Sequence, residues 1–261
     1  MRTSESAKAR TSLSLAAALL ALACAPAVLR AQDDSTAVKP ERPTVATHAY
    51  VITPGFVEVE TGAVYQRPAG GATVGIPFYA KFGVTRWLQL GIGPGAAFDH
   101  GGPGGDLQGG LTDLTVAAKL VVGRGLPLLG DFAVQPSVSL PTGSEEKGFG
   151  SGLAEGGLLL VSSHQVLGGE IDANAGISFN DGNGTTTPKQ SYVWAVSGGR
   201  SISGPLGAVV EVFGDPGTTG AAGGPPQVGL LFGPTFAVRP SLVLDAGAIV
   251  NLRHLGGNAL Y

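Results

Sequence analysis

The feature that most constrains this fold is an alternation of polar and apolar residues with a period of two, repeated in segments of about ten residues. Residues 170–179 place Glu170, Asp172 and Asn174 on one face and Ile171 on the other. The same alternation occurs in residues 111–122, 131–140 and 241–252. Because side chains alternate across a strand, each segment is predicted to be a strand with one polar and one apolar face.

Twelve such segments are predicted along the chain. They cover residues 55–66, 73–84, 87–98, 111–122, 131–140, 153–163, 167–179, 190–201, 206–214, 226–237, 241–251 and 256–261. The connections alternate in length. Short ones lie at 85–86, 164–166, 202–205 and 238–240, and 123–130 is the one longer member of this set. Between them lie longer Gly/Pro-rich connections at 99–110, 141–152, 180–189 and 215–225. Short turns at one end and longer loops at the other are typical of bacterial outer-membrane barrels.

Composition agrees with a membrane barrel. Hydrophobic residues make up 43% of the chain and charged residues 13%, and the mean hydropathy is +0.25. The 43 glycines follow no G-X-Y period, which excludes collagen. The predicted fold class is therefore all-β, a transmembrane antiparallel β-barrel of about twelve strands. A soluble β-sandwich or solenoid is the alternative, but it would carry more Lys and Arg on its edge strands.

Residues 1–31 have the layout of a cleaved signal peptide. Basic Arg2, Lys8 and Arg10 precede an apolar run from Leu13 to Leu29, and the cut is expected after Ala31. The alternatives are a retained membrane anchor and a lipoprotein signal ending at Cys24. The predicted location is the bacterial outer membrane, reached by export.

Residues 32–54 precede the predicted barrel, residues 55–261. Pro40, Pro43 and Pro54 prevent a continuous helix in this segment. Two interpretations are open: a plug folded into the lumen, or an unstructured periplasmic leader.

The polar faces of the strands are predicted to line the lumen. The charged residues on these faces, nine acids and two bases, are Glu58, Glu60, Lys81, Asp113, Lys119, Asp131, Glu155, Glu170, Asp172, Glu211 and Asp245. A lining of this sign favours cations. In the alternative interpretation the carboxylates pair with the two lysines and with backbone groups.

Sequence motifs for catalysis are missing. The chain has no G-x-S-x-G and no P-loop, and its four His residues are scattered. His164 directly follows Ser163, but adjacent strand residues point to opposite faces and cannot form a dyad. The single Cys excludes a Cys-based metal cluster, and the net charge of −3 argues against nucleic acid as a partner. We expect no enzyme activity, no cofactor and no metal.

Four stretches resemble a family of bacterial outer-membrane barrels, presumed transporters, that is grouped under the meta-pathway of phenol degradation. They are ERPTVATHAYVITPGFVEVETGAVYQ (41–66), FGVTRWLQLGIG (82–93), GDLQGGLTDLTVAAKL (105–120) and PSVSLPTGS (136–144). The resemblance implies a barrel of about twelve strands that passes small, often apolar molecules. It also implies a last strand with a terminal aromatic residue, here Tyr261, that the barrel-assembly machinery reads.

The predicted function is a passive, porin-like channel or transporter for small molecules, apolar or aromatic ones included. Its expected partners are outer-membrane lipid, a small-molecule solute and the assembly machinery. The alternative is a structural or surface-interaction barrel whose closed lumen passes nothing.

Overall fold

The computed structural model describes residues 37–66, 71–101, 107–182, 188–217, 224–254 and 259–260. The predicted signal peptide, residues 32–36 and Tyr261 lie outside the described residues. Within these ranges, no helix is both long enough and apolar enough to cross a bilayer.

The described residues form twelve strands, four of which are interrupted once. The strands are Val57–Thr61 with Val64–Gln66 (β1), Gly71–Thr85 (β2), Leu88–Gly93 with Gly95–Gly101 (β3), Leu107–Leu111 with Leu114–Leu126 (β4), Gly130–Leu140 (β5), Glu155–Val166 (β6), Gly169–Asn180 (β7), Gln190–Ser203 (β8), Leu206–Asp215 (β9), Gln227–Arg239 (β10), Leu242–Asp245 with Ala248–Arg253 (β11) and Ala259–Leu260 (β12). A single 3₁₀ turn, Glu145–Lys147, lies between β5 and β6.

These strands close into a barrel. Each strand pairs antiparallel with the next along the chain, and β12 pairs with both β11 and β1. Closure rests on two residue pairs, Ala259 with Gln66 and Leu260 with Tyr65. The predicted all-β, twelve-strand antiparallel barrel is therefore confirmed.

The predicted boundaries differ from the structure mainly around β3 and β4. Residues 123–126 continue β4, so the connection to β5 shrinks from the predicted 123–130 to residues 127–129. The predicted long connection at 99–110 shortens to residues 102–106, because β3 continues to Gly101 and β4 begins at Leu107. The ends of these strands are rich in glycine and carry little hydrophobic alternation, so the sequence pattern does not predict that the strands continue there.

The barrel carries its apolar side chains outside and its polar ones inside. Large apolar residues exposed on the outer surface include Phe78, Leu90, Val138, Leu158, Leu160, Ile171, Val196, Val210, Phe232 and Leu244. The largest fully buried side chains include those of Lys81, Lys119, Gln89 and Glu211. This distribution is the reverse of that in a water-soluble protein.

Two glycines make room inside the barrel. A Cβ atom on Gly91 would lie 1.9 Å from the hydroxyl oxygen of Tyr79, which points into the lumen from β2. A Cβ atom on Gly83 would lie 2.4 Å from the backbone carbonyl oxygen of Thr53. Glycine at position 83 therefore lets the chain that precedes β1 run close against β2.

Candidate functional site

Residues 37–54, which we call the lumen segment, lie inside the barrel. Their backbone and side chains contact inward-facing side chains of β1, β2, β3, β4, β6, β7 and β9, strands on all sides of the barrel. Ala46, Thr47, His48, Ala49, Val51 and Ile52 are all buried. This is the geometry that the plug interpretation of residues 32–54 requires.

A first charge cluster joins the lumen segment to β1 and β2. The Lys81 ammonium lies 2.6 Å from the Glu58 carboxylate and 2.5 Å from the Glu60 carboxylate. It also donates to the backbone carbonyl of Lys39 at 2.8 Å. Glu58 and Glu60 in turn accept hydrogen bonds from the backbone N–H groups of Lys39 and Glu41, at 2.8 and 3.0 Å.

A second charge cluster surrounds Lys119 on β4. Its ammonium forms an ion pair with Glu41 of the lumen segment. It also donates to the Thr47 hydroxyl at 2.6 Å and to the His48 carbonyl at 2.9 Å. Because Lys119 is only 1% exposed, these contacts replace the water that an ammonium group would otherwise bind.

Uncharged side chains hold the rest of the segment. The Asn174 carboxamide accepts from the Thr47 N–H at 2.8 Å and donates to the Thr47 carbonyl at 2.9 Å. The Ser163 hydroxyl accepts from the Ala49 N–H at 2.8 Å, and the Gln89 side chain accepts from the Ile52 N–H at 3.0 Å. The predicted set of lumen residues contains charged side chains only and therefore omits these three, although the same alternation places them, Asn174 included, on the inner face.

Glu211 on β9 binds the segment, and among the described wall residues no cation forms an ion pair with it. Its two carboxylate oxygens accept hydrogen bonds from the N–H groups of Val45, at 2.7 Å, and Ala46, at 2.6 Å. Two bonds from consecutive N–H groups to one carboxylate are charge-assisted, and such bonds are stronger than neutral ones.

The remaining predicted lumen residues lie outside these clusters. Asp172 accepts a hydrogen bond from the Ser163 hydroxyl at 2.5 Å, and Glu170 accepts one from the Gln165 side chain. Asp245 faces Arg42 of the lumen segment at 3.9 Å. Glu155 is half-buried at the start of β6, at the long-loop end.

Asp113 and Asp131 accept hydrogen bonds at opposite ends of the barrel. Asp113, beside β4, accepts hydrogen bonds from the N–H groups of Gly143, at 2.9 Å, and Ser151, at 2.7 Å. Burial by itself raises the pKa of Asp113, but these hydrogen bonds outweigh it and hold the pKa below its ordinary value. Asp131, at the start of β5, accepts from the N–H of Gly125 near the end of β4 at 2.7 Å.

The lumen segment contains a partly buried glutamate and a buried histidine with shifted pKa values. Burial by itself raises the pKa of Glu41, but the nearby Lys119 and Lys81 ammonium groups hold it below its ordinary value. Burial, together with the charge of Lys119, lowers the pKa of His48 to about 3. Glu41 is therefore charged and His48 neutral at pH 7.

A cavity of about 360 Å³ lies between the lumen segment and the wall at the short-turn end. Glu41, Arg42 and His48 line it from the segment. The wall contributes the charged Glu170, Asp172 and Arg200 together with small and apolar residues, among them Ser197, Gly199, Gly207, Val209, Thr235 and Ala237. The cavity combines hydrogen-bonding groups with apolar surface, as binding sites for small amphipathic molecules do.

Ser162 and His164 lie on the outer face of β6, two residues apart, with Ser162 Oγ 3.2 Å from His164 Nε2. Sequence analysis considered only the adjacent Ser163 and missed this pair. The Ser162 hydroxyl donates to the Leu129 carbonyl at 2.7 Å, so its proton is not directed at the imidazole as in a nucleophile–base pair. In the described part of the chain, no three His, Cys, Asp or Glu side chains come together as metal ligands would.

The fold and the site define a class: a closed twelve-strand β-barrel with a polar interior that contains its own N-terminal segment. The sequence model of the family described as "Putative MetA-pathway of phenol degradation" matches residues 39–258, which is most of the chain. The chain belongs to this family, and the resemblance seen in the sequence is confirmed. Among curated proteins, none matches the sequence.

Proposed function

We propose that this chain is a passive outer-membrane channel for small molecules, with no cofactor and no enzymatic activity, whose lumen is closed by residues 37–54. One observation carries the proposal: an apolar outer surface encloses charged side chains that are fully buried. Lys81 is 0% exposed, whereas Phe232 on the outer face is 46% exposed. Apolar surface of this kind favours lipid as the surroundings, and a polar interior favours a path for solutes.

The connections suggest an orientation. Residues 167–168, 204–205 and 240–241 form two-residue turns at one end, whereas residues 141–154 form a long connection at the other. Outer-membrane barrels place short turns in the periplasm. The cavity beside Glu41 would then open toward the periplasm. Outer-membrane lipid and the assembly machinery, which reads the last strand, are the proposed partners; nucleic acid is not.

The cavity supports a small solute of about one ring. An apolar cavity of about 150 Å³ is large enough to bind benzene. The space beside the lumen segment, at about 360 Å³, exceeds that volume and adds hydroxyl groups. The family's description, which names phenol degradation, also supports apolar or aromatic solutes.

The test is planar-bilayer recording on refolded wild-type protein and the Ala46→Pro variant. Proline removes the N–H that donates to Glu211 and places a ring at a buried position, so it should expel the segment. We expect discrete conductance steps that are rare in the wild type and frequent in the variant. Ala46→Gly, which keeps the N–H, is the matched control and should resemble the wild type.

The sign of the reversal potential in a salt gradient tests the acidic lining separately. Cation preference is expected once the segment, with its cations Lys39 and Arg42, has left. A folded Ala46→Pro barrel that never conducts would contradict the channel proposal.

That outcome would favour the second candidate, a structural or surface-interaction barrel. The filled lumen supports this alternative, because buried ion pairs and hydrogen bonds hold the segment at many points.

A further inference from the structure

The barrel wall binds the main chain of the lumen segment. Seven backbone N–H groups between residues 39 and 52 donate to wall side chains. Three backbone carbonyls, of Lys39, Thr47 and His48, accept from wall side chains. The wall residues that make these bonds, here called the main-chain-binding wall, are Glu58, Glu60, Lys81, Gln89, Lys119, Ser163, Asn174 and Glu211.

Asn174 shows most directly what this wall recognises. Its carboxamide bonds both the N–H and the carbonyl of Thr47, at 2.8 and 2.9 Å. A hydrogen-bonded residue of a neighbouring antiparallel strand makes the same exchange of two bonds. Asn174 thus takes the place of a peptide backbone, which is a feature of a site that binds a polypeptide main chain.

The contacts that the side chains of the lumen segment make with the wall are less specific than the backbone hydrogen bonds. Ala46, Ala49, Val51 and Ile52 are small or aliphatic and buried. Ala49 packs against Ala133 and Val161 of the wall. Backbone bonds of this kind do not depend on side-chain identity, so they select a polypeptide main chain whose side chains fit the lumen.

Two ion pairs near the N-terminal end of the lumen segment add a preference for charged residues in the ligand. Lys119 binds the Glu41 carboxylate, and Asp245 faces the Arg42 guanidinium at 3.9 Å. The favoured ligand therefore has an acidic residue followed by a basic one, several residues before a run of small side chains.

We propose that the lumen is a binding site for a polypeptide, which it holds through the main chain. Residues 37–54 occupy it in cis, and a peptide of the same class occupies it in trans when that segment is displaced. A departing segment exposes the carboxylate, amide and hydroxyl groups of the wall to water, and another peptide backbone replaces that water with matching hydrogen bonds as an apolar solute cannot. The inference does not depend on whether the barrel conducts solutes.

The test uses the full-length Ala46→Pro variant and a fluorescent peptide with the sequence of residues 37–54. Fluorescence anisotropy in detergent measures binding. In the wild-type barrel the tethered segment competes at an effective concentration on the order of millimolar. We expect the peptide to bind the variant at least tenfold more tightly than the wild-type barrel.

Two matched peptides test recognition of the main chain. A peptide with Ala49→Pro lacks the N–H that donates to Ser163, whereas one with Ala49→Gly keeps it. The proline peptide should bind at least tenfold more weakly than the glycine peptide. Equal binding of the two peptides, or no binding of the unmodified peptide, would overturn the inference.

A second variant keeps the test possible if Ala46→Pro does not fold. Val45→Pro removes one N–H bond to Glu211 at a position that is exposed rather than buried. Heat-modifiable mobility on a gel identifies folded barrels of both variants before binding is measured.

The outcomes separate this inference from the channel proposal. Peptide binding to a barrel that does not conduct would support the peptide site and contradict the channel. Conductance of the Ala46→Pro barrel without peptide binding would support the channel and contradict the peptide site.

Discussion

The inner and outer surfaces of this barrel are built from the same strands but follow opposite rules. On β6, Leu158 and Leu160 point outward and are more than 40% exposed, whereas Val161 and Ser163 point inward and are at most 2% exposed. In the proposed membrane setting, the outer surface needs only apolar character, because lipid offers no directional bonds. The inner surface needs exact partners, because its buried charges and amides lose water when the lumen segment is present.

Substitutions on the two surfaces should therefore change stability for different reasons. If the barrel spans a bilayer as proposed, an outer residue contributes through transfer from water, and its depth in the bilayer decides the effect. An inner residue contributes through specific bonds to the lumen segment, so its partner decides the effect.

The largest effect is expected at Lys119. Replacing it with methionine leaves the Glu41 carboxylate buried without its ion pair and removes bonds to Thr47 and His48. Breaking one side of a buried pair costs about 3–5 kcal/mol. Release of the segment, measured as protease cleavage within residues 37–54, should increase strongly, while the barrel remains folded.

A double variant tests whether the partner decides this effect. Lys119→Met combined with Glu41→Gln removes both charges and should recover most of the lost stability. If the double variant is as open as Lys119→Met alone, the ion pair is not what retains the segment.

The outer surface should respond to a charge according to depth. Leu160→Lys places an ammonium group at the middle of β6 on the proposed lipid-facing side, which should cost about 2–4 kcal/mol in vesicles. Leu140→Lys makes the same change at the end of β5, where about 0–1 kcal/mol is expected. The free energy of unfolding in urea measures both, and equal costs at the two positions would argue against a membrane-spanning outer surface.

Sequence alone could predict the fold because the decisive signal is local. The alternation around Glu170, Asp172 and Asn174 predicts which side chains share a face, and the alternating connection lengths predict up-and-down topology. Even the short β12 was anticipated as a segment at residues 256–261.

The partners of the inner residues could not be predicted in this way. Val45 meets Glu211 across 166 positions of sequence, and the lumen segment has no period that would indicate where each residue docks. Sequence analysis therefore left plug and leader open, and it could place Lys81 and Lys119 on the inner face without identifying the groups that they bind.

The pH dependence of the lumen segment should depend on His48. Its pKa of about 3 in the folded protein lies below the value of 6.5 in the released segment, so protons favour release. The stabilisation is complete above about pH 6.5 and is lost progressively as the pH falls toward 3. At pH 5 the loss is about 2 kcal/mol. Protease cleavage within residues 37–54 should increase between pH 7 and 5 in the wild type and less so in His48→Gln; equal increases would exclude His48 as the cause.

The smallest effect is expected where the two surfaces meet, at the turn between β6 and β7. Leu167 has a φ of +51° and is 92% exposed, so it adopts a left-handed conformation without packing that would compensate. Leu167→Asn should stabilise the barrel by about 1 kcal/mol in detergent, since asparagine tolerates this conformation better. Measuring the same substitution in vesicles shows whether Leu167 lies within the lipid-facing part of the outer surface. A gain in both media places the turn in water, whereas a loss confined to vesicles would mean that lipid extends beyond the last residue of β6 and that Leu167 belongs to the outer surface.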